Sequence, residues 1–130
     1  MYKGDVSPQQ AYEALCANEK AVLIDVRTPQ EWTYVGIPQM PGLLQASWPP
    51  PPEAPDFVKT VNHLNVPLEA QVYLICRSGI RSARAASELT AAGYENCYNV
   101  AQGFEGDRDE FGHRGTIGGW KVAGLPWSQS

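Results

Sequence analysis

The chain has 130 residues, of which 10 are basic and 14 acidic, so its formal net charge is -4, and 43% of its residues are hydrophobic. This length fits one compact domain that buries about two-thirds of the surface of the unfolded chain. A net negative charge disfavours nucleic acid as a partner, and no apolar stretch approaches the roughly 20 residues that a membrane span needs.

The cysteine content and the N-terminus favour a reducing compartment. The chain has 3 cysteines, an odd number that does not fit a disulfide framework. Its first residues lack the basic segment and apolar core of a secretory signal. We therefore expect a cytoplasmic protein.

Helix and strand patterns alternate along the chain. Capping signals mark two helix starts, Ser7 before Pro8 and Thr28 with Glu31 three residues later. Gly93 has the position of a C-cap glycine for a later helix. The predicted elements are, in chain order, a helix Pro8–Ala17, a strand Val22–Val26, a short helix to Tyr34, a strand Leu43–Ala46, a helix Pro55–Leu64, a strand Tyr73–Ile75, a helix from Arg81 to Gly93 and a strand Cys97–Val100.

Strands joined by helices of this length predict an α/β fold, with a parallel sheet covered by helices on both faces. The carboxyl ends of parallel strands meet at one edge, where ligands bind in open sheets of this kind. Four segments are expected to converge there around a shallow basic pocket: Asp25–Arg27, Trp48, Cys76–Ser82 and Gln102–Phe104.

The segment Cys76–Ser82 is the main candidate for a functional site. It follows an apolar strand and leads into an alanine-rich helix, so the thiol of Cys76 lies where free backbone N–H groups and the helix dipole favour an anion. Arg77 and Arg81 add full positive charges, and Gly79 permits close approach of the backbone. These features predict a cysteine that ionises easily and acts as a nucleophile.

A packing role is the alternative for any free cysteine, because this residue type is often buried. Cys16 lies in an amphipathic run and Cys97 in a short apolar run, both far from a basic cluster. For these two cysteines we expect packing.

Four segments resemble the rhodanese-domain sulfurtransferases. Cys76–Ser82 resembles the active-site loop of that family, and Leu23–Trp32 resembles its upstream signature. Gly36-Ile37-Pro38 is similar to the family's Gly-His-Ile-Pro turn without the histidine. Gly103-Phe104-Glu105-Gly106, together with the stretch from Trp120 to Pro126, resembles its C-terminal signature.

The resemblance implies a single rhodanese-like domain over residues 1–130, with five parallel strands and Cys76 at the floor of the site. It also implies a double displacement without a cofactor or metal. The Cys76 thiolate takes the outer sulfur of thiosulfate or a similar donor as a persulfide, and cyanide or a small or protein thiol then accepts it. The loop residues expected to bind donor and persulfide are Arg77, Ser78, Gly79, Ile80, Arg81 and Ser82.

The remaining predicted site residues support the loop. Asp25, Arg27 and Glu31 resemble the family's structural ion pairs at its base. Trp48 and Phe104 are candidates for the pocket wall. Ser82 is expected to act as a helix cap or a weak hydrogen-bond donor.

Two other functional classes are alternatives to a sulfurtransferase. Cysteine phosphatases and arsenate reductases place five residues between cysteine and arginine, whereas 4 residues separate Cys76 from Arg81. The shorter loop suits a single sulfur atom better than a tetrahedral phosphate. A non-catalytic module that carries persulfide or binds a partner remains an alternative.

The segment Asp107–Gly119 interrupts the C-terminal signature, and we expect a weakly held wall or lid beside the site, or else an inert surface loop. It does not form a calcium loop, because Phe111 and Gly118 occupy positions that require oxygen ligands. His63 and His113 are too scattered to form a zinc site with the cysteines.

Overall fold

The computed structural model describes residues 1–129. Within them, no helix is long and apolar enough to cross a membrane. The elements are, in chain order, β1 (Gly4–Val6), α1 (Pro8–Ala17), β2 (Val22–Asp25), α2 (Pro29–Val35), β3 (Ile37–Pro38), β4 (Leu43–Gln45), α3 (Phe57–His63), β5 (Gln71–Ile75), α4 (Ile80–Ala91), β6 (Asn96–Val100) and β7 (Trp127–Ser128).

The main sheet has five parallel strands in the order β1-β6-β5-β2-β4. The α/β class and the parallel sheet are therefore confirmed. One face packs against α3 and α4 through Phe57, Val61 and Leu89, and the other packs against α1 through Ala11 and Leu15. The strand before the candidate loop, β5, lies at the centre of the sheet, where both neighbouring strands fix its carboxyl end.

The helix starts follow the capping signals in the sequence. Ser7 and Thr28 each form a complete capping box, with Gln10 and Glu31 as the respective partners. Asp56 caps α3, so that helix begins at Phe57 and not at the predicted Pro55. An aspartate side chain that accepts a backbone N–H fixes the start more strongly than an upstream proline does.

Three strands have no counterpart in the predicted set. The edge strand β1 has only 3 residues and contains Gly4 and Asp5, so it shows no apolar run. The strands β3 and β7 have 2 residues each and pair antiparallel, with Ile37 opposite Ser128 and Pro38 opposite Trp127. Pairing between distant short segments leaves no local pattern, which explains why these strands were missed.

A buried ion pair anchors the carboxyl end of β2. Arg27 donates to both carboxylate oxygens of Asp25 at 2.9 and 2.7 Å, and to the carbonyl of Gly36 at 2.7 Å. Both charged side chains are fully buried, and the guanidinium lies 4.4 Å from the centroid of the Phe104 ring. The pair thus joins the end of β2 to the turn before β3 and to the segment after β6.

Replacing Arg27 by Met should lower the free energy of unfolding by about 3–5 kcal/mol, because it leaves the Asp25 carboxylate buried without its partner. Urea denaturation at neutral pH measures this change. The matched control is Arg84→Gln, at an exposed arginine of α4, for which the change should stay within about 0.5 kcal/mol. Equal stability of the Arg27 and Arg84 variants would contradict the anchoring role.

Candidate active site

The loop from Cys76 to Gly79 makes a sharp turn from β5 into α4. Gly79 has φ +105°, a left-handed conformation that disfavours side chains, and a Cβ there would overlap the carbonyl oxygen of Ala101. Farther along the same segment, the N–H of Phe104 donates to the carbonyl of Cys76 at 2.8 Å. The turn is therefore held by its own glycine and by the backbone that follows β6.

Hydrogen-bond donors of the first turn of α4 face the sulfur of Cys76. The N–H of Gly79 lies 3.1 Å from Sγ and the N–H of Ser82 lies 3.4 Å from it. The hydroxyl oxygen of Ser82 lies 3.2 Å from the same atom. The two backbone dipoles point their positive ends at the sulfur, which is the arrangement that stabilises a thiolate or persulfide anion.

Burial of the sulfur differs from the expected shallow pocket. Cys76 is only 1% exposed, although Arg77 and Ile80 beside it are exposed. A cavity of about 660 Å³ lies at the opposite end of the strands, where Lys3, Lys20 and Asn96 contribute to its lining. The described residues therefore leave very little of Cys76 exposed, and this cavity does not contain it.

The two loop arginines, both expected to bind the donor, have different surroundings. Arg81 donates from Nη1 and Nη2 to the carboxylate of Glu31 at 2.8 and 2.9 Å. Within residues 1–129, Arg77 is exposed and forms no ion pair. The ion pair with Glu31 therefore joins α4 to α2, and Arg77 is the loop arginine whose guanidinium has no such partner within the described residues.

The ion pair with Arg81 changes the ionisation of Glu31. Burial opposes the charged form, but the hydrogen bonds from Arg81 and from Thr28 outweigh it and lower the pKa of Glu31 to about 2. Hydrogen bonding to Glu31 raises the pKa of Arg81, and attraction to Cys76 adds to this rise. The guanidinium therefore brings a permanent positive charge close to the sulfur.

Of the two roles expected for Ser82, helix cap or hydrogen-bond donor, the structure shows the donor. The N-cap of α4 is Gly79, and Ser82 is buried in the first turn with its hydroxyl 2.6 Å from Oδ1 of Asn99. Asn99 lies on β6 and is 4% exposed. Asn99 is not among the site residues predicted from the sequence, although a lone amide in the apolar run Cys97–Val100 is an available signal.

The two predicted wall residues lie in different environments. Phe104 is fully buried, with Arg27 near one part of the ring and Lys121 5.2 Å from its centroid, so it does not line an open pocket. Trp48 is partly exposed and donates from Nε1 to Glu88 of α4 at 3.0 Å. Phe104 therefore packs in the interior against the guanidinium of Arg27, and Trp48 joins the loop after β4 to α4.

The segment Asp107–Gly119 is held by several hydrogen bonds, which corrects the expectation of weak attachment. Arg114 donates to the carbonyl of Gly106 at 2.8 Å, and Gly115 donates to that of Glu105 at 2.7 Å. The N–H groups of Glu105 and Gly106 both bond to the carbonyl of Arg77. The segment is thus hydrogen-bonded to Glu105 and Gly106, which are in turn hydrogen-bonded to the candidate loop. The role of the segment as a wall or lid stays a prediction.

The other two cysteines differ from Cys76 and from each other. Cys97 is fully buried, and burial raises its pKa to about 11, so it stays a thiol. The packing role predicted for it is confirmed by its place in the core. Cys16 is exposed, so the packing role predicted for it is wrong. Within residues 1–129, no three His, Cys, Asp or Glu side chains form a cluster that could hold a metal ion.

Comparisons with known proteins agree with this geometry. Residues 7–110 match the family model described as the rhodanese-like domain. The crystal structure of Rv0390 from M. tuberculosis is 40% identical, covers 100% of both chains and has a TM-score of 0.85. The thiosulfate sulfurtransferase GlpE of Actinobacillus succinogenes is 29% identical over 94% of this chain and 87% of its own length. The polysulfide-sulfur transferase homodimer of Wolinella succinogenes is 25% identical over 99% of this chain and 80% of that chain, with a TM-score of 0.66.

The pair of Glu31 and Arg81 should make stability depend on pH. The folded-state pKa of Glu31, about 2, lies below its ordinary value of 4.5, so the stabilisation is complete above pH 4.5 and is lost as the pH falls toward 2. Glu31→Gln should remove on the order of 1 kcal/mol at neutral pH and flatten the acid limb of the stability profile.

Urea denaturation at a series of pH values measures this limb. Glu95→Gln is the matched control, because Glu95 is exposed and its carboxylate forms no ion pair within residues 1–129. The control should keep the wild-type slope. Parallel profiles for wild type and Glu31→Gln would show that the pair contributes nothing to the acid sensitivity.

Proposed function

The chain belongs to the rhodanese-like domain family, and we propose that it is a sulfurtransferase in which Cys76 carries the transferred sulfur. The observation that carries the proposal is the pair of N–H groups, from Gly79 and Ser82, that face Sγ at 3.1 and 3.4 Å. A packed structural cysteine has no need of such donors, as Cys97 shows. An anionic sulfur does need them, both as the nucleophile and as the persulfide.

The proposed reaction has two displacement steps. The Cys76 thiolate attacks the outer sulfur of thiosulfate or a related donor, forming an S–S bond while the donor's own S–S bond breaks and sulfite leaves with the electron pair. An acceptor, cyanide or a thiolate, then attacks the terminal sulfur of the persulfide. The Cys76 thiolate leaves with the bonding pair, and the enzyme returns to its first state without any external oxidant or reductant.

Loop groups supply the binding and the charge stabilisation in this proposal. The backbone N–H groups of the loop hold the negative sulfur in both steps, because preorganised dipoles cost no rearrangement when charge develops. Arg77, free of an internal partner, orients the sulfonate of the donor. Arg81 contributes its charge while remaining bound to Glu31.

The donor and the acceptor are proposed by class. The named relatives are a thiosulfate sulfurtransferase and a polysulfide-sulfur transferase. Thiosulfate and polysulfide both have a terminal sulfur atom that is bonded to another sulfur atom. We propose thiosulfate or a similar sulfane-sulfur donor for this chain, with cyanide or a small or protein thiol as acceptor. The three cysteines are free, which supports a cytoplasmic location.

Treatment with thiosulfate should add one sulfur atom to Cys76, because this thiol alone faces the loop donors. Intact-protein and peptide mass spectrometry measure the adduct, and cyanide should discharge it as thiocyanate. Cys76→Ser should abolish the adduct, whereas the control variants Cys16→Ser and Cys97→Ser should keep it. Absence of an adduct would contradict both sulfur roles, and an adduct stable to cyanide and thiols would contradict the transfer step.

Replacing Arg77 by Gln should raise the KM for thiosulfate by about 10- to 100-fold with a smaller effect on kcat, because one charge-assisted hydrogen bond to the donor is lost. Steady-state kinetics with cyanide as acceptor measure this. Arg84→Gln, exposed on α4, is the matched control and should leave KM unchanged. An unchanged KM in Arg77→Gln would refute the donor-orienting role.

A further inference from the structure

The amide of Asn99 has only one orientation that satisfies its neighbours. Its Nδ2 lies 3.0 Å from a carboxylate oxygen of Asp5 and 3.2 Å from the carbonyl oxygen of Gly79. Both of these groups only accept, so both hydrogens of the amide are used there. Its Oδ1 is thereby left facing the hydroxyl of Ser82, and an amide oxygen can only accept.

The single hydroxyl hydrogen of Ser82 is therefore assigned. The contact between Ser82 Oγ and Asn99 Oδ1 is 2.6 Å long, and only Ser82 can supply its hydrogen. A lone pair of Ser82 Oγ then faces Sγ of Cys76 at 3.2 Å. The resting hydrogen-bond chain runs from the Cys76 thiol to Ser82 and from Ser82 to Asn99.

Loss of the thiol proton to solvent disturbs this chain. If Ser82 keeps its bond to Asn99, an oxygen lone pair faces the new thiolate. If the hydroxyl turns its hydrogen to the sulfur, Oδ1 of Asn99 loses its donor at a site that is 4% exposed, and a buried acceptor without a partner is costly. Both outcomes oppose ionisation, whereas the backbone N–H groups favour it.

We propose that Asn99 is a positioning residue that withholds the hydroxyl hydrogen of Ser82 from the sulfur and so favours the neutral thiol of Cys76 in the resting protein. In the persulfide, the inner sulfur has no hydrogen to donate to Ser82, so a lone pair of the Ser82 hydroxyl again faces an electron-rich sulfur. Asn99 therefore also favours release of the bound outer sulfur. The catalytic meaning of this role rests on the proposed function.

Other charges near the sulfur come from several elements and stay in place when Ser82 or Asn99 is changed. They are Arg77 and Arg81 on the loop and α4, Glu31 on α2, Asp25 and Arg27 at the end of β2, and Asp5 on β1, which also accepts from the hydroxyl of Tyr2. Their contribution is the same in every variant compared. The effect of Asn99 is read from differences between variants.

The test is the rate of Cys76 alkylation by iodoacetamide as a function of pH, measured in a Cys16→Ser background because Cys16 is exposed. Ser82→Ala removes the lone pair that faces the thiolate, so the midpoint of the profile should fall by about one pH unit, a tenfold change in the ionisation constant. If Ser82 instead donates to the thiolate, the midpoint should rise. The sign of this shift alone decides between the two arrangements.

A second variant tests whether Asn99 acts through Ser82. Asn99→Ala releases the hydroxyl hydrogen to the sulfur, and the midpoint should again fall by about one pH unit. In the Ser82→Ala background, the Asn99→Ala change should cause no further shift. A shift of equal size in both backgrounds would show a merely structural effect through Gly79 or Asp5 and would overturn the proposal.

Two features keep the experiment decisive. Ser82→Ala preserves the helix and removes a single hydroxyl, so its sign answers the question even where Asn99→Ala unfolds the chain, which circular dichroism detects. Alkylation needs no sulfur donor. Failure of sulfur transfer in the mass-spectrometric experiment therefore does not affect this result. A midpoint that rises in Ser82→Ala refutes the role of Asn99, whereas the proposed sulfur transfer is tested separately by the adduct on Cys76.

Discussion

The turn from β5 into α4 is the constraint on which the rest of the site depends. Only three residues separate Cys76 from the first residue of the helix, so the sulfur and the free N–H groups of the helix start lie within hydrogen-bond distance. That close return requires the left-handed conformation of Gly79 and the absence of a side chain against Ala101. Backbone geometry thus decides which hydrogen-bond donors face the sulfur of Cys76.

The two ion pairs near the turn from β5 into α4 connect the elements that surround it. Asp25 with Arg27 and Glu31 with Arg81 are two ion pairs that join β2, α2, the segment after β6 and α4. Each guanidinium meets a carboxylate within the protein, so each pair connects neighbouring elements. Arg77 differs because its guanidinium stays in solvent. The difference among these arginines therefore lies in their partners: Arg27 and Arg81 pair with carboxylates, and Arg77 does not within the described residues.

The sequence predicted what local patterns encode, and it failed where the answer depends on distant contacts. The capping boxes of Ser7 and Thr28, the buried strands and the loop Cys76–Ser82 all leave short-range signals. The strand β1, the pairing of β3 with β7 and the role of Asn99 depend on residues far apart in the chain. The burial of Phe104 and of Cys76 likewise follows from packing of several elements, which no single segment reveals.

The position of β1 gives the N-terminus an importance that its sequence does not suggest. Asp5 fixes the amide of Asn99, which contacts Ser82, so only two side chains stand between the fifth residue and the reactive sulfur. Displacement of this edge strand should therefore change the hydrogen bonding of Asn99 and, through Ser82, the surroundings of the sulfur.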